Sequence, residues 1–431
     1  MKPKILTTIV GYTPHAFAAD ALAGVTVALV ALPLSLAIAI ASGAPPAAGL
    51  VTAVVAGFLI SALGGSRVQI GGPTGAFIVV VYDVIHDHGF EGLLVATLMA
   101  GAILVIAGWL HAGRLIRLIP EPVVEGFTLG IAVVIATSQL KDLTGLKLAS
   151  LPADFLPKIG ALWSARGSFD MTALILGLAT ITAILLGRRL APRLPIMALV
   201  IVVASFTAYY TLPSVESVSA RYGALPNRLP WPALPQMEST EVFDLIPTAL
   251  TIALLAGIES LLSAIVADRM IGGAHRSNAE LLAQGAANLV SPLFGGLPAT
   301  GAIARTATNV HAGGRTPVAG MVHALCILLA MLFAAPLVGQ LALPALAGLL
   351  VVTAWSMSEP HRWPARLALP KAELALLCLT AALTIFADLT VAIAMGTGLG
   401  LALKLAQREE PEQWEPLSRG ADIGTREGDE P

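Results

Sequence analysis

Long runs of Ala, Leu, Ile and Val recur along the whole chain and are interrupted by Pro, Gly or a charged residue. Of the 431 residues, 56% are hydrophobic and 12% are charged, whereas a soluble globular domain carries about 25% charged residues. Apolar runs of this length are typical of helices that cross a lipid bilayer. The predicted fold class is therefore an all-α polytopic membrane protein, surrounded by membrane lipid. The formal net charge of −2 gives no reason to expect a nucleic-acid partner.

The breaks between the runs predict fourteen membrane segments. These segments lie at 21–41, 46–63, 74–85, 91–111, 122–138, 171–187, 195–211, 244–266, 279–291, 301–311, 317–337, 341–356, 371–386 and 388–405. Several of them, including the third and the tenth, are too short to cross ~30 Å of hydrocarbon at ~1.5 Å per helical residue. Short, interrupted segments at matching places in two halves are typical of transporters built from inverted repeats.

This pattern divides the chain into five parts. They are an N-terminal segment 1–20, a first seven-segment repeat 21–211, a connector 212–243, a second seven-segment repeat 244–406, and a short acidic tail 407–431 that is predicted to be disordered. If the N-terminus is cytoplasmic and all segments cross, the short connections that carry Lys or Arg fall on the cytoplasmic side. Outside, basic residues occur only in the two longest loops, at Lys141–Arg166 and Arg221–Arg228. We expect a multi-pass protein of the plasma (bacterial inner) membrane with both termini cytoplasmic.

The tripeptide Thr-Gly-Ala occurs twice before an apolar run, in GGPTGAF (Gly71–Phe77) and in GLPATGAIART (Gly296–Thr306). Pro73 should prevent the chain from arriving there as a helix, so Thr74 and Thr300 could each cap a helix that starts at the following glycine. A helix that begins inside the bilayer leaves its first N–H groups unpaired and carries about +0.5 charge at that end. Two such ends that face each other predict a site for a small anion. The alternative is that these small residues serve only helix packing.

One basic residue, Arg305, falls inside an apolar segment, where a charge costs about 2.5–3.5 kcal/mol on insertion scales. Its predicted partner is Glu259, the acidic residue at the centre of another apolar run. Ser263 follows Glu259 by one turn and shares its helix face. We expect the Glu259–Arg305 ion pair to border a solute or ion site; the alternative is that the pair only joins two segments.

Pro33 lies in the middle of the first segment, where it is expected to kink the helix. The side chains that follow it, Leu34 and Ile38, are predicted to form an apolar wall of the pocket together with Phe77. The alternative is an ordinary kink packed by neighbouring helices.

Five stretches together carry a family resemblance. They are DALAGVTVALVALPLSLAIAIASGAPPAAGL, GGSRVQIGGPTGAF, PEPVVEGFTLGIAV, GIESLLSAIVAD and GGLPATGAIARTATNVHAGGRTPVAG. With them the chain resembles the sulfate permease (SulP) family, known in animals as solute carrier family 26, from about Ala19 to Lys404. The resemblance implies two inverted repeats of seven segments, split into a core domain and a gate domain, and an elevator-like displacement of the core that moves anions. We expect a homodimer.

The resemblance also implies the residues of the site. The anion would be held by Thr74, Gly75, Ala76 and Phe77 at the third segment and by Gly301, Ala302, Ile303, Ala304 and Arg305 at the tenth. Glu259 and Ser263 match positions at which a sodium-coupled bicarbonate branch holds Na⁺, but Arg305 stands where that branch has a small uncharged residue. No Na⁺ site, other metal or cofactor is therefore expected. Leu34 stands where many relatives have Gln, which removes one polar contact.

The predicted function is Na⁺-independent secondary active transport of small anions, by exchange or proton-coupled symport. Sulfate, bicarbonate, chloride and dicarboxylates all remain open as substrates. The alternatives are an anion channel on the same fold and a nucleobase permease, which would need a carboxylate that is free to bind a base. The sequence carries no nucleophile–base or metal motif of a hydrolase, so no enzyme is expected. The family usually has a cytoplasmic STAS domain after the last segment, a position where this chain has its short tail.

Overall fold

The computed structural model describes residues 2–113, 120–148, 151–191, 194–236, 242–387 and 389–407. The predicted tail beyond residue 407 and residues 237–241 of the predicted connector lie outside the described residues. Eighteen α-helices lie within the described ranges. They are α1 (Ile5–Thr8), α2 (Pro14–Ala41), α3 (Pro46–Leu63), α4 (Ile78–Trp109), α5 (Glu121–Ser138), α6 (Leu140–Leu143), α7 (Phe155–Ser164), α8 (Met171–Leu190), α9 (Ile196–Thr211), α10 (Val218–Tyr222), α11 (Ile246–Ile271), α12 (Ser277–Val290), α13 (Ile303–His311), α14 (Val318–Gly339), α15 (Leu343–Met357), α16 (Trp363–Leu367), α17 (Lys371–Phe386) and α18 (Leu389–Gln407).

Each predicted membrane segment overlaps a helix, with two differences. The first long helix, α2, begins at Pro14 rather than at residue 21, because the side chain of Thr13 caps it by accepting a hydrogen bond from the N–H of Ala16. The third and fourth segments share α4, which is broken by non-helical backbone at Gly89, where φ is 70°. This kink lies at the predicted boundary between the third and fourth segments.

Seven helical stretches among the described residues are long and apolar enough to cross a membrane, judged by length and composition. They are Pro14–Ala41, Pro46–Leu63, Gly75–Trp109, Glu121–Leu143, Met171–Leu190, Phe243–Ile271 and Val318–Gly339. The remaining helices are shorter or less apolar, so the number of fourteen spans stays a prediction.

The fold is mostly helical, but the prediction of an all-α protein is wrong at one place. Gly71–Gly72 (β1) and Thr300–Gly301 (β2) pair as an antiparallel two-stranded sheet, with Gly71 opposite Gly301 and Gly72 opposite Thr300. Both strands are buried. Buried backbone N–H and C=O groups need hydrogen-bond partners, and a stretch containing Gly-Gly-Pro is a poor helix former. The two repeated phrases therefore satisfy each other's backbone in extended conformation.

Two groups of helices surround this sheet. Helices α2, α3, α4, α11, α12, α13 and α14 pack chiefly against one another and around the strands, whereas α5, α8, α15, α17 and α18 pack chiefly among themselves. The two groups meet where α2 contacts α15 and where α11 contacts α18. The interior at this boundary is apolar: Val123, Ile258 and Leu376 form one buried cluster.

Candidate functional site

A cavity of about 330 Å³ lies where the two helix groups meet, next to the ends of both strands. Most of the predicted site residues line it. They are Leu34, Ile38, Thr74, Gly75, Ala76, Glu259, Gly301, Ala302, Ile303, Ala304 and Arg305. Residues that are more than two hundred positions apart in the chain thus meet around one space.

Three predicted residues are not part of the cavity lining among the described residues. Phe77 is only 2% exposed and packs into the main hydrophobic core, because burying a large apolar side chain is worth about 1.5–3 kcal/mol. Pro33 is buried within α2. The hydroxyl of Ser263 lies 3.2 Å from that of Thr306, behind the cavity wall.

The two threonines of the repeated phrase do not act as the predicted caps. Thr74 stands in extended conformation before a single 3₁₀ turn, Gly75–Phe77, and its hydroxyl donates a 2.9 Å hydrogen bond to Oε2 of Glu259. Thr300 lies in β2, and its hydroxyl donates to the carbonyl of Ala256 at 2.8 Å. Because β2 extends through Gly301, helix α13 begins only at Ile303.

The later start of α13 changes which amides are available. The N–H of Ala302 donates to the carbonyl of Ile70 at 2.8 Å, so it is occupied by the strand region. The N–H groups in the first turn of a helix have no partner within that helix. In α13 these include Ile303 and Ala304, and in the opposing 3₁₀ turn Gly75 and Ala76, all of which line the cavity. Two donor-rich helix starts therefore face one space.

The predicted ion pair between Glu259 and Arg305 is wrong in this structure. Within the described residues, no N–O distance of 4.0 Å or less joins Arg305 to any carboxylate. Nη2 of Arg305 instead donates to the carbonyl of Pro73 at 2.7 Å and to Oγ of Ser35 at 3.4 Å. The physical reason is that two neighbouring residues provide partners for both charges. The carbonyl of Pro73 accepts from Nη2 of Arg305, and the hydroxyl of Thr74 donates to Oε2 of Glu259.

Arg305 is 2% exposed, yet its hydrogen-bonding capacity is only partly used. Among the described residues, Nε and Nη1 of its guanidinium have no hydrogen-bond partner. A buried charge without a counter-charge is costly, so a guanidinium held in this way at a cavity wall is a strong point of attraction for an anion. Gly72 makes room for it: φ there is 147°, and a Cβ would lie 2.4 Å from Nη1 of Arg305.

A cluster of five charged side chains at the more exposed end of the cavity was not predicted. It consists of Glu121, Glu125, Glu359, Arg362 and Arg366, and is called the charged cluster below. The sequence does carry a signal for it. Glu121 and Glu125 lie four residues apart in the first turns of α5. Arg362, just before α16, and Arg366, within it, have the same spacing, which favours a shared face in each pair.

A second group that sequence reasoning missed lies behind the strands. The side-chain amide of Gln69 donates to the carbonyl and the hydroxyl of Ser260, at 3.1 and 2.9 Å. Glu280, which is fully buried, accepts from the N–H groups of Gly65 and Ser66 at 2.8 and 3.2 Å and from the hydroxyl of Ser260 at 2.9 Å. These bonds tie the loop before β1 to the helix that carries Glu259.

Comparisons with known proteins identify the family. The model of the Sulfate permease family matches residues 17–380. The chain is 40% identical to the putative sulfate transporter YvdB of Bacillus subtilis, over 93% of this chain and 76% of that protein. It is 31% identical to the bicarbonate transporter BicA of Picosynechococcus, over 88% of this chain and 68% of that protein.

Two solved structures have the same fold. The transmembrane domain of a cyanobacterial bicarbonate transporter, BicA, superposes with a TM-score of 0.79 at 28% identity, covering 90% of this chain and 99% of that chain. SLC26A9 superposes with a TM-score of 0.84 at 18% identity, covering 94% of this chain and 68% of that chain, and supports the fold alone. A family match over most of the chain, two relatives named as transporters and a shared transporter fold lead to one conclusion: the chain belongs to the sulfate permease family of anion transporters.

Proposed function

We propose that the chain is a secondary active transporter of small anions, which binds its substrate in the cavity between the 3₁₀ turn at Gly75 and the start of α13. The observation that carries the proposal is the environment of the Arg305 guanidinium. Its buried guanidinium lies in the cavity wall, has no carboxylate within 4.0 Å among the described residues, and stands beside two helix starts. Helix starts and guanidiniums are the usual ligands of small anions in proteins.

An elevator-type movement fits the two helix groups. The group around the strands would be the core domain and the group with α5, α15 and α17 the gate domain, with the core carrying the site across the membrane. The paired strands bring both halves of the chain to one place, as two inverted repeats of seven segments would require. With fourteen spans, both termini would be cytoplasmic. A homodimer in the bacterial inner membrane is part of the same proposal.

Transport without Na⁺ is the proposed mode. Arg305 already places one fixed cation in the cavity wall, where a second cation would be repelled. Exchange and proton-coupled symport are the two modes that remain.

One observation favours a second candidate, a nucleobase permease. Glu259 is not neutralised by Arg305: its Oε2 accepts from Thr74, and its Oε1 has no hydrogen bond to any described residue. A carboxylate with a vacant oxygen could accept hydrogen bonds from the N–H groups of a base. The two relatives are named as sulfate and bicarbonate transporters, which supports the anion. An anion channel on the same fold differs only in kinetics.

The experiment that tests the proposal is uptake into proteoliposomes of labelled sulfate, bicarbonate, chloride, fumarate and uracil. Each is measured without Na⁺, with and without an inward proton gradient, and with unlabelled substrate inside. We expect uptake of at least one anion without Na⁺ and its acceleration by internal substrate, as a carrier requires. Uptake of uracil alone would establish the second candidate, and uptake that needs Na⁺ would refute the proposed mode.

Arg305→Ala provides the residue-level test. We expect insertion and folding to persist, because the variant removes a buried charge that has no carboxylate within 4.0 Å among the described residues, while anion uptake falls steeply. Arg228→Ala, at an exposed arginine far from the cavity lining, is the matched control and should transport normally. Equal uptake by both variants would show that Arg305 does not serve the anion.

A further inference from the structure

The charged side chains of the cavity lining do not sum to a positive charge. Among the described residues the lining contains three guanidiniums and four carboxylates, a formal surplus of one negative charge. An anion site whose walls are net negative is unusual. A substrate anion is therefore attracted only by those positive charges that no carboxylate already compensates.

Both guanidiniums of the charged cluster are already compensated. Nη2 of Arg362 lies 2.9 Å from Oε1 of Glu121 and 2.8 Å from Oε1 of Glu125. Nε of Arg366 lies 3.1 Å from Oε2 of Glu125. With three carboxylates for two guanidiniums, the charged cluster carries a formal charge of −1 and offers an approaching anion no free cation.

Glu359 makes this compensation complete. Its Oε2 lies 3.0 Å from Nη1 of Arg362 and 3.0 Å from Nη2 of Arg366. Its backbone has a φ of 44°, a left-handed conformation that is uncommon for residues other than glycine. The strained backbone places one carboxylate against both guanidiniums, at the end of the cavity through which a substrate would enter.

At the inner end, Arg305 is the one guanidinium of the described lining without a carboxylate within 4.0 Å. The two helix starts add about +0.5 charge each. Glu259 faces the same space and removes up to one charge. The positive potential available to a substrate is therefore close to that of a single charge.

We propose that the cavity is built for an anion of one negative charge and selects against dianions, with Glu359 as a specificity-determining residue. This rests on the proposed function and narrows its substrate class to ions such as bicarbonate, halides or nitrate. The physical reason is a difference in scaling. The cost of taking an ion out of water grows with the square of its charge, whereas its attraction to Arg305 grows only in proportion to charge. A dianion is also repelled twice as strongly by the charged cluster.

The test uses anions that are matched in shape but not in charge. Perchlorate and sulfate are both tetrahedral XO₄ ions, and perrhenate and molybdate form a second tetrahedral pair. Each is added to proteoliposomes at increasing concentration, and inhibition of the uptake of the best labelled anion is measured. We expect each monoanion to inhibit at a concentration at least about tenfold lower than its dianion, since the charge terms act in one direction for both pairs. Inhibition by sulfate and molybdate as strong as that by perchlorate and perrhenate would overturn the proposal.

Glu359→Gln tests the assigned residue, because it raises the cavity charge by one. The ratio of the sulfate to the perchlorate inhibition constant should fall several-fold in this variant. The matched control is Glu216→Gln, which removes the carboxylate of another glutamate–arginine pair, Glu216–Arg221, away from the cavity lining; it should leave the ratio unchanged. Glu121→Gln changes the cavity charge in the same direction and replaces Glu359→Gln if that variant does not fold.

The outcomes separate the two proposals. If anions are taken up but the ratio is the same in wild type, Glu359→Gln and Glu121→Gln, charge selection by the cluster is refuted while anion transport stands. If no anion is taken up or inhibits, both proposals fail.

Discussion

The pairing of β1 with β2 leads to a prediction at Gly301. A Cβ at this position would lie 1.5 Å from Nε2 and 2.6 Å from Cδ of Gln69, which is far inside van der Waals contact. In Gly301→Ala the Gln69 side chain must therefore leave its place and give up its hydrogen bonds to the carbonyl and hydroxyl of Ser260. Two lost buried hydrogen bonds cost about 1–3 kcal/mol in total.

Thermal unfolding of the purified protein and anion uptake measure this effect together. Gly301→Ala should lower the unfolding temperature and reduce uptake, because β2 and the start of α13 move with residue 301. Gly398→Ala is the control: among the described residues, nothing outside its own helix backbone and chain neighbours lies within 4 Å of a Cβ at that position, so stability and uptake should stay near wild type.

A double-mutant cycle tests whether the clash with Gln69 is what requires glycine at position 301. Gln69→Ala alone should cost a similar free energy of unfolding, because it removes the same two bonds. In the Gln69→Ala background, Gly301→Ala should then cost little, since the clashing side chain is gone. Additive losses in the double variant would show that the clash with Gln69 is not what makes glycine necessary at 301.

Three further predictions concern single side chains. Thr74→Val removes the hydroxyl that donates to Glu259 and should slow uptake and cost about 1–3 kcal/mol, whereas Thr74→Ser should preserve both; equal effects of the two would contradict the bond. Glu125→Gln weakens the buried contacts to Arg362 and Arg366, each of which keeps Glu359 as a partner, and should lower stability by about 1–3 kcal/mol in thermal unfolding, more than the loss in an exposed pair. Partial burial and a hydrogen bond to a carboxylate raise the pKa of Tyr12 to about 12. In the unfolded chain the pKa of Tyr12 is near 10. The stability that comes from the raised pKa is therefore fully present below pH 10 and is lost as pH rises to 12. Tyr12→Phe should remove that part of the pH dependence of stability.

The helices and most of the cavity lining follow from local sequence features. Apolar runs, proline and glycine breaks and the repeated Thr-Gly-Ala phrase depend on neighbouring residues, so they can be read from the sequence. Gly75, Ala76, Ile303 and Ala304 line the cavity as predicted, because they follow those breaks. The exact helix starts could not be predicted from the sequence, because the start of α13 depends on a strand contact with a distant residue.

The wrong predictions concern contacts between residues that are distant from each other in the sequence. Sequence reasoning identified Arg305 and Glu259 as charges that need partners in an apolar setting, but several polar groups were within reach of each. Arg305 donates to the carbonyl of Pro73 instead, and Glu259 accepts from the hydroxyl of Thr74. Two strands of two residues each are likewise too short to produce a periodic pattern in the sequence. The charged cluster differs, because its i,i+4 spacing is visible in the sequence but its closure across two helices is not.

The central claim is that an anion binds beside Arg305, between the two helix starts. Anomalous diffraction from crystals soaked in bromide or perrhenate locates such an anion directly. We expect a peak in the cavity at hydrogen-bonding distance from the Arg305 guanidinium and from an N–H of Ala76 or Ile303, and no such peak in Arg305→Ala crystals. Anion peaks confined to other surfaces, in crystals of protein that transports the same anion, would contradict it.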